Sequence, residues 1–357
     1  MSELTRRDFV RGGLTAGIGI GIAPELLHST LAPQAQTPAA AADPYALVDP
    51  ELLATVKQFP YPTQSFTSEN LVVGRKWPGV PPLPSPAPQP FERHIPGPSG
   101  APDLRLVIVD PAPGTKGRPA LLHIHGGGYV SGFAGQFNPF LQAVAQHCGC
   151  LVVSVDYRLA PETHFPGSLE DNYTALRWLY KNSDELGVDR KRIAIGGESA
   201  GGGYSAMLAI AARDRREISI LFQLLIYPAL DDRTGSARQV PPYIGQFVWN
   251  VESNRFAWTS FLGVPAGSPT VPAGAVPARV ENLAGLPPAF IGVGALDLFV
   301  DEDVEYARRL INAGVPTELL VIPGAYHGFD VLVPDAAVSK RFTESWTVAL
   351  RRAFATG

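Results

Sequence analysis

The sequence predicts an α/β fold, a mostly parallel sheet covered by helices on both faces. Short continuous apolar runs such as Leu151 to Asp156 suit strands buried on both sides. Between them lie stretches with apolar residues at helical spacing, such as Leu169, Tyr173, Leu176 and Leu179. From residue 91 onward the two patterns alternate, as parallel strands joined by crossover helices require.

The elements follow in order. Residues 43 to 59 predict an amphipathic helix, with Leu47, Leu52, Leu53, Val56 and Phe59 on one side. Residues 78 to 90 contain seven prolines and must be extended. Strands are expected over Leu104 to Val109, Ala120 to His125, Leu151 to Asp156, Arg192 to Gly196, Ile218 to Tyr227, Ala289 to Val293 and Thr317 to Ile322. Helices are expected over Phe137 to Cys148, Ser168 to Asn182, Ser199 to Arg213, Asp301 to Ala313 and Val338 to Phe354. Residues 232 to 285 are aromatic and irregular, with a helical stretch near Glu252 to Leu262.

Composition narrows the functional classes. The 357 residues are 45% hydrophobic and 17% charged, which excludes a disordered chain. A net charge of −4 leaves no basic footprint, so no nucleic acid partner is expected. Two cysteines exclude a disulfide scaffold. A bridge between Cys148 and Cys150 would close a strained ring, so both are expected as free thiols.

The N-terminus reads as an address. Arg6 and Arg7 precede a modest apolar run from Leu14 to Leu27, and small residues end at Ala42. This is the layout of a twin-arginine export signal over residues 1–42, with the export machinery as its partner. The run is too short and too broken by glycine and Pro24 for a membrane span. A periplasmic or secreted location is expected, with residues 43–357 as one catalytic domain.

The chemistry concentrates at strand ends. Gly197-Glu198-Ser199-Ala200-Gly201 fits G-x-S-x-G between a short strand and a helix, which holds a serine hydroxyl out of the sheet as a nucleophile. His125-Gly126-Gly127-Gly128 follows an earlier strand. Its glycines let backbone N–H groups approach a developing oxyanion. Gly127 and Gly128 are the expected donors, with Ala200 N–H as a third. His125 is expected to brace this loop, and the loop already accounts for it without a metal. His327 lies just after the last strand and is the expected base; Asp297 follows the preceding strand and is the expected orienting carboxylate. The rival carboxylates Asp301, Glu302 and Asp303 are read as charging the first turn of the next helix.

Together these residues resemble the hormone-sensitive-lipase-like carboxylesterases of the α/β-hydrolase superfamily. The resemblance rests on the H-G-G-G at His125, Tyr157-Arg158-Leu159-Ala160-Pro161-Glu162, the G-E-S-A-G-G at Gly197 and Tyr227-Pro228-Ala229-Leu230-Asp231. It continues through Leu286-Pro287-Pro288-Ala289, Asp297 and His327-Gly328-Phe329, in the chain order Ser, Asp, His. Two positions depart from the family pattern: Glu198 stands where many members have Asp, and Leu298 where Pro usually follows the acid.

The resemblance implies an α/β-hydrolase fold with an eight-stranded sheet. It also implies a cap built from about residues 43–90 and an insertion after the sixth strand, about 232–285. Of the insertion's aromatics (Tyr243, Phe247, Trp249, Phe256, Trp258 and Phe261), most are expected to hold the cap together rather than line the site. The expected activity is hydrolysis of short- to medium-chain acyl or aryl esters through an acyl-enzyme, without a cofactor, in a monomer or homodimer. The alternatives are an amidase, peptidase or acyltransferase on the same triad, or a ligand-binding protein that has lost catalysis.

Overall fold

The structure is a computed structural model that describes residues 43–61 and 63–356; the expected export signal lies outside the described residues. The strands are β1 (Pro90–Ile95), β2 (Leu104–Val109), β3 (Arg118–Ile124), β4 (Leu151–Val155), β5 (Val188–Glu198), β6 (Phe222–Ile226), β7 (Ala289–Gly294) and β8 (Thr317–Ile322). They form one sheet in the order β1-β2-β4-β3-β5-β6-β7-β8. β1 and β2 run antiparallel to their neighbours, and every pairing from β4 across to β8 is parallel. This is the α/β-hydrolase fold.

The helices are α1 (Leu53–Val56), α2 (Leu71–Gly74), α3 (Asn138–Cys148), α4 (Gly167–Lys181), α5 (Ala200–Arg215), α6 (Val251–Leu262), α7 (Val300–Asn312), α8 (Phe329–Leu332) and α9 (Ala337–Thr356). Side chains alternate across each strand, so the central sheet feeds two apolar layers. Leu122, Ile124, Ile195 and Ile291 pack with α4, α5 and α7. Leu121, Val152, Leu224 and Phe290 pack with α3 and α9 on the other face. Gly149 ends α3 at φ 59°, a left-handed turn that glycine adopts without a Cβ penalty. Cys148 and Cys150, on either side of it, are free thiols.

Some boundaries differ from those the sequence predicts. The expected helix over 43 to 59 shrinks to the single turn of α1, flanked by other turns. Val48, Leu52 and Val56 reach the core, whereas Leu47 is 56% exposed. Pro50 interrupts the segment, so Val48, Leu52 and Val56, spaced by four, are buried together from a series of short turns rather than from one continuous helix. The sixth strand is shorter than expected because its ladder with β5 begins only at the Ala194–Phe222 pair. β5 is longer, starting at Val188 beside Arg118.

The proline-rich run is not extended throughout, contrary to the expectation from its composition: a turn over 85–87, with Ala87 N–H donating to Pro84 O at 3.2 Å, folds it back so that the Leu83 and Pro88 carbonyls share one donor. Gln142 of α3, fully buried, pins it: Leu83 N–H donates to Oε1 at 2.6 Å, and Nε2 donates to the Leu83 and Pro88 carbonyls at 3.0 Å each. Upstream, Arg75 forks onto Glu162 at 2.7 and 2.8 Å and also donates to the carbonyls of Val130 and Ala160 at 2.7 Å each. That bidentate pair gives Glu162 its work, tying the N-terminal segment to the body of the fold.

Candidate active site

Parallel strands place their C-terminal ends along one edge of the sheet, where loops converge. His125 follows β3, Ser199 follows β5, Asp297 lies three residues past β7 and His327 lies on the loop after β8. All four side chains are buried, with Asp297 at 0% exposure and Ser199 and His327 each at 7%.

Ser199 sits at φ 58° and ψ −122°, a strained conformation for a residue with a side chain. Its backbone is held from several sides: its N–H donates to Ile226 O at 2.9 Å, and its carbonyl accepts from Gly203 and Ala229 at 3.0 Å each. The flanking glycines are needed because β3 passes so close. A Cβ on Gly197 would stand 2.0 Å from Ile124 O, and one on Gly201 would stand 1.9 Å from the same oxygen. The elbow thus exists because three residues around it can do without side chains or carry strain.

Ser199 Oγ lies 3.0 Å from His327 Nε2, and His327 Nδ1 lies 2.8 Å from Asp297 Oδ2. With Nδ1–H donating to the carboxylate, Nε2 is left as the acceptor for the serine hydroxyl. The other carboxylate oxygen of Asp297 accepts the Phe299 N–H at 3.0 Å. The imidazole is held between Tyr227 and Phe299, with ring centroids at 4.9 and 5.3 Å in edge-on contact. Tyr227 is itself fixed by donating to Asp330 Oδ1 at 3.0 Å. Burial pushes the Asp330 carboxyl up to about 6.

Leu298, which replaces the family's proline, is 1% exposed and packs on the insertion: a Cβ on Gly245 would stand 2.7 Å from Leu298 Cδ1. The turn after Asp297 closes through the Phe299 N–H without a proline. Glu198, the other departure, reaches His123, whose Nε2 lies 3.0 Å from the carboxylate and whose Nδ1 lies 2.9 Å from Ser154 Oγ.

The glycine loop runs beside the serine. Gly127 and Gly128 sit at φ 119° and 61°, and a Cβ on Gly127 would stand 2.2 Å from Ser131 O. Among the described residues neither glycine's N–H is spent on an acceptor. Ala200 opens α5, where the first N–H groups point out of the helix end. His125 Nδ1 donates to Gly126 O at 2.8 Å, and its ring stacks on Tyr157 at 4.1 Å. Tyr157 OH in turn donates to His125 O at 2.8 Å. Burial pushes the His125 pKa down to about 4, so its ring is neutral at neutral pH.

The reading of Glu302 and Asp303 as simple helix-end charges is corrected here. Both lie in the first turn of α7, yet they are 2% and 0% exposed. Glu302 accepts from Leu230 N–H at 2.6 Å, from Asp231 N–H at 3.1 Å and from the Thr234 hydroxyl. It therefore fastens the start of the insertion to the helix behind Asp297. Only Asp301 of the three is exposed.

A cavity of about 470 Å³ opens over Ser199 and His327. Its walls include Phe66 and Trp77 from the N-terminal segment, Phe133 and Phe137 before α3, and Val248 and Trp249 from the insertion. Of the six insertion aromatics, Trp249 alone lines it. Phe247, Trp258 and Phe261 are buried in packing and Tyr243 is 53% exposed. Sequence reasoning did not single out Phe66, Trp77 or Arg75, because no motif marks them.

The fold and this edge define an α/β-hydrolase. A family model described as alpha/beta hydrolase fold matches residues 121–331. The chain is 35% identical over 261 residues to Esterase LipI of Mycobacterium tuberculosis, spanning 72% of this chain and 80% of that protein. It is 36% identical over 275 residues to Carboxylesterase NlhH of the same species, spanning 74% and 82%. Among solved structures, Bacterial Heroin Esterase matches with TM-score 0.77 and 36% identity over 87% of this chain and 99% of that one. The chain belongs to the hormone-sensitive-lipase-like carboxylesterase family.

Proposed function

We propose that the protein hydrolyses short- to medium-chain acyl or aryl esters through an acyl-enzyme on Ser199. The observation that carries this reading is the continuous chain from Ser199 Oγ to His327 at 3.0 Å and on to Asp297 at 2.8 Å, beside a glycine loop. Ser199 attacks the ester carbonyl as His327 Nε2 takes its proton. Asp297, fully buried, holds the imidazole in the reactive tautomer and stabilises its charged form. The N–H groups of Gly127, Gly128 and Ala200 receive the oxyanion, each such donor contributing roughly 3 kcal/mol. His327 returns the proton to the leaving alcohol, then activates the water that releases the acid. His125 braces the loop and takes no proton in the cycle. An aromatic cavity of about 470 Å³ suits an acyl or aryl group of modest size.

The test is turnover of p-nitrophenyl esters from acetate to laurate, wild type beside Ser199→Ala. The expected result is turnover that peaks at short or medium chains and falls by about 10⁴-fold or more in the alanine variant. Turnover unchanged in Ser199→Ala would overturn the assignment. An anilide of the same acid, assayed in parallel, separates an esterase from an amidase. kcat/KM falls by about tenfold per pH unit in acid, because a protonated His327 cannot accept the serine proton. A flat acid limb would remove His327 as base.

The proposal extends to location. Residues 1–42 direct export by the twin-arginine route. Replacing Arg6 and Arg7 with lysine should retain the protein in the cytoplasm, and unchanged export would contradict it.

A further inference from the structure

Trp249 stands where a substrate's acyl group must pass. It is 6% exposed and lines the cavity above Ser199. The outer edge of its indole lies over Gly128, so close that a Cβ there would stand 2.2 Å from Cη2. Its ring centroid is 6.0 Å from that of Phe66 and 6.5 Å from that of His327.

The loop that delivers Trp249 turns tightly on itself, with Trp249 N–H donating to Phe247 O at 2.7 Å, and is braced from outside. Val248 sits at φ 65°, a left-handed conformation that a β-branched residue rarely adopts. The N-terminal segment holds it there. Thr63 Oγ1 accepts from Val248 N–H at 3.2 Å and donates to Gln246 O at 3.1 Å. Asn250 Nδ2 donates to Thr63 O at 2.8 Å, and Phe66 N–H donates to Ser253 Oγ at 3.0 Å. Asn254 Oδ1 accepts the indole N–H at 3.3 Å and fixes the ring's other edge. Strain that surrounding contacts over-determine is found where a side chain must be aimed.

We propose that Trp249 is the specificity-determining residue of the acyl subsite, and that its indole sets the longest acyl chain the site accepts. This rests on the esterase reading. The leaving alcohol must lie at His327 Nε2, which protonates it, and the oxyanion must face Gly127, Gly128 and Ala200. The acyl substituent takes the remaining direction from the reacting carbon, past Gly128 and against the indole edge. A longer chain then meets a wall of Trp249 backed by Phe66.

The experiment compares wild type with Trp249→Ala, Trp249→Leu and Trp249→Phe. One series varies the acyl chain from acetate to laurate with p-nitrophenol constant. A second varies the alcohol with acetate constant. The account predicts that the kcat/KM ratio of decanoate to butyrate rises at least about tenfold in Trp249→Ala, since each accommodated methylene is worth about tenfold or more. Leucine and phenylalanine should fall between, which keeps the test open if the alanine variant does not fold. A purely structural role would lower all esters together and leave the ratio unmoved, and that result overturns the proposal. A shift confined to the alcohol series overturns the acyl assignment. A wild type that hydrolyses no ester overturns this proposal and the esterase reading together, whereas ester turnover with an unmoved ratio overturns this proposal alone.

Discussion

The strand-end loops and the segments that face them across the cavity are held by different means. Ser199 is fixed by backbone. Its elbow is closed by hydrogen bonds to Ile226, Gly203 and Ala229 and by glycines that leave no room for a Cβ. Trp249 makes one local backbone bond, to Phe247 O, and is otherwise fixed through the side chains of Thr63, Asn250, Ser253 and Asn254. Backbone geometry of the first kind is set by residue types that cannot be exchanged. A ladder of side-chain hydrogen bonds can be rewritten one residue at a time, with each bond worth roughly 1 kcal/mol. On the proposed esterase reading, one side of the cavity keeps the chemistry constant and the other can change what enters.

The sharpest way to break this contrast is to add one methyl group to the elbow. Gly201→Ala places a Cβ 1.9 Å from Ile124 O, a backbone atom that cannot turn aside. It should cost about 2–4 kcal/mol of stability, read by denaturant unfolding, and lower kcat with it. A variant as stable as wild type would show that the elbow tolerates relaxation.

Asp330 tests the support behind His327. Its carboxyl is raised to about 6, so the native state holds that proton more tightly than the unfolded chain does. The native state is unpenalised below about pH 4 and carries the full cost of the buried charge above about pH 6. Asp330→Asn, which can still accept the Tyr227 hydroxyl, should stabilise the protein by about 1–3 kcal/mol at pH 8 and by nothing at pH 4. Equal effects at both pH values would contradict the burial argument.

The smallest effect is expected on the opposite wall. Thr63→Val removes both hydrogen bonds to the 246–248 loop while keeping the residue's shape. It should cost about 1–2 kcal/mol. KM for longer esters should change more than kcat for acetate. A collapse of kcat on every ester would place the strap among the elements that hold the triad.

The same contrast decides what could be read from the sequence. The elbow and the glycine loop were legible because close backbone approach permits only glycine, so the residues announce the geometry. The strand-end placement of Asp297 and His327 was legible because the alternating pattern located the ends of β7 and β8. The segment from 43 to 59 was legible at Leu52 and Val56, which with Val48 keep a spacing of four and reach the core, but Pro50 breaks the path into short turns and leaves Leu47 outside. Glu302 misled because an acid in a first helical turn has a local explanation. Its actual partners, Leu230, Asp231 and Thr234, lie about seventy residues earlier in the chain. Trp249 could be counted among cap aromatics but not distinguished from Trp258 or Phe261, since its aim into the cavity depends on contacts with Thr63 and Asn254 that no local pattern announces.

The central claim is that Ser199 is the activated nucleophile of this edge. It is tested most directly by treating the protein with an active-site phosphonate and mapping the adduct by mass spectrometry. The account predicts one equivalent of label on the peptide containing Ser199, lost in Ser199→Ala and strongly slowed in His327→Ala. Labelling elsewhere, or none in a folded protein, would contradict it.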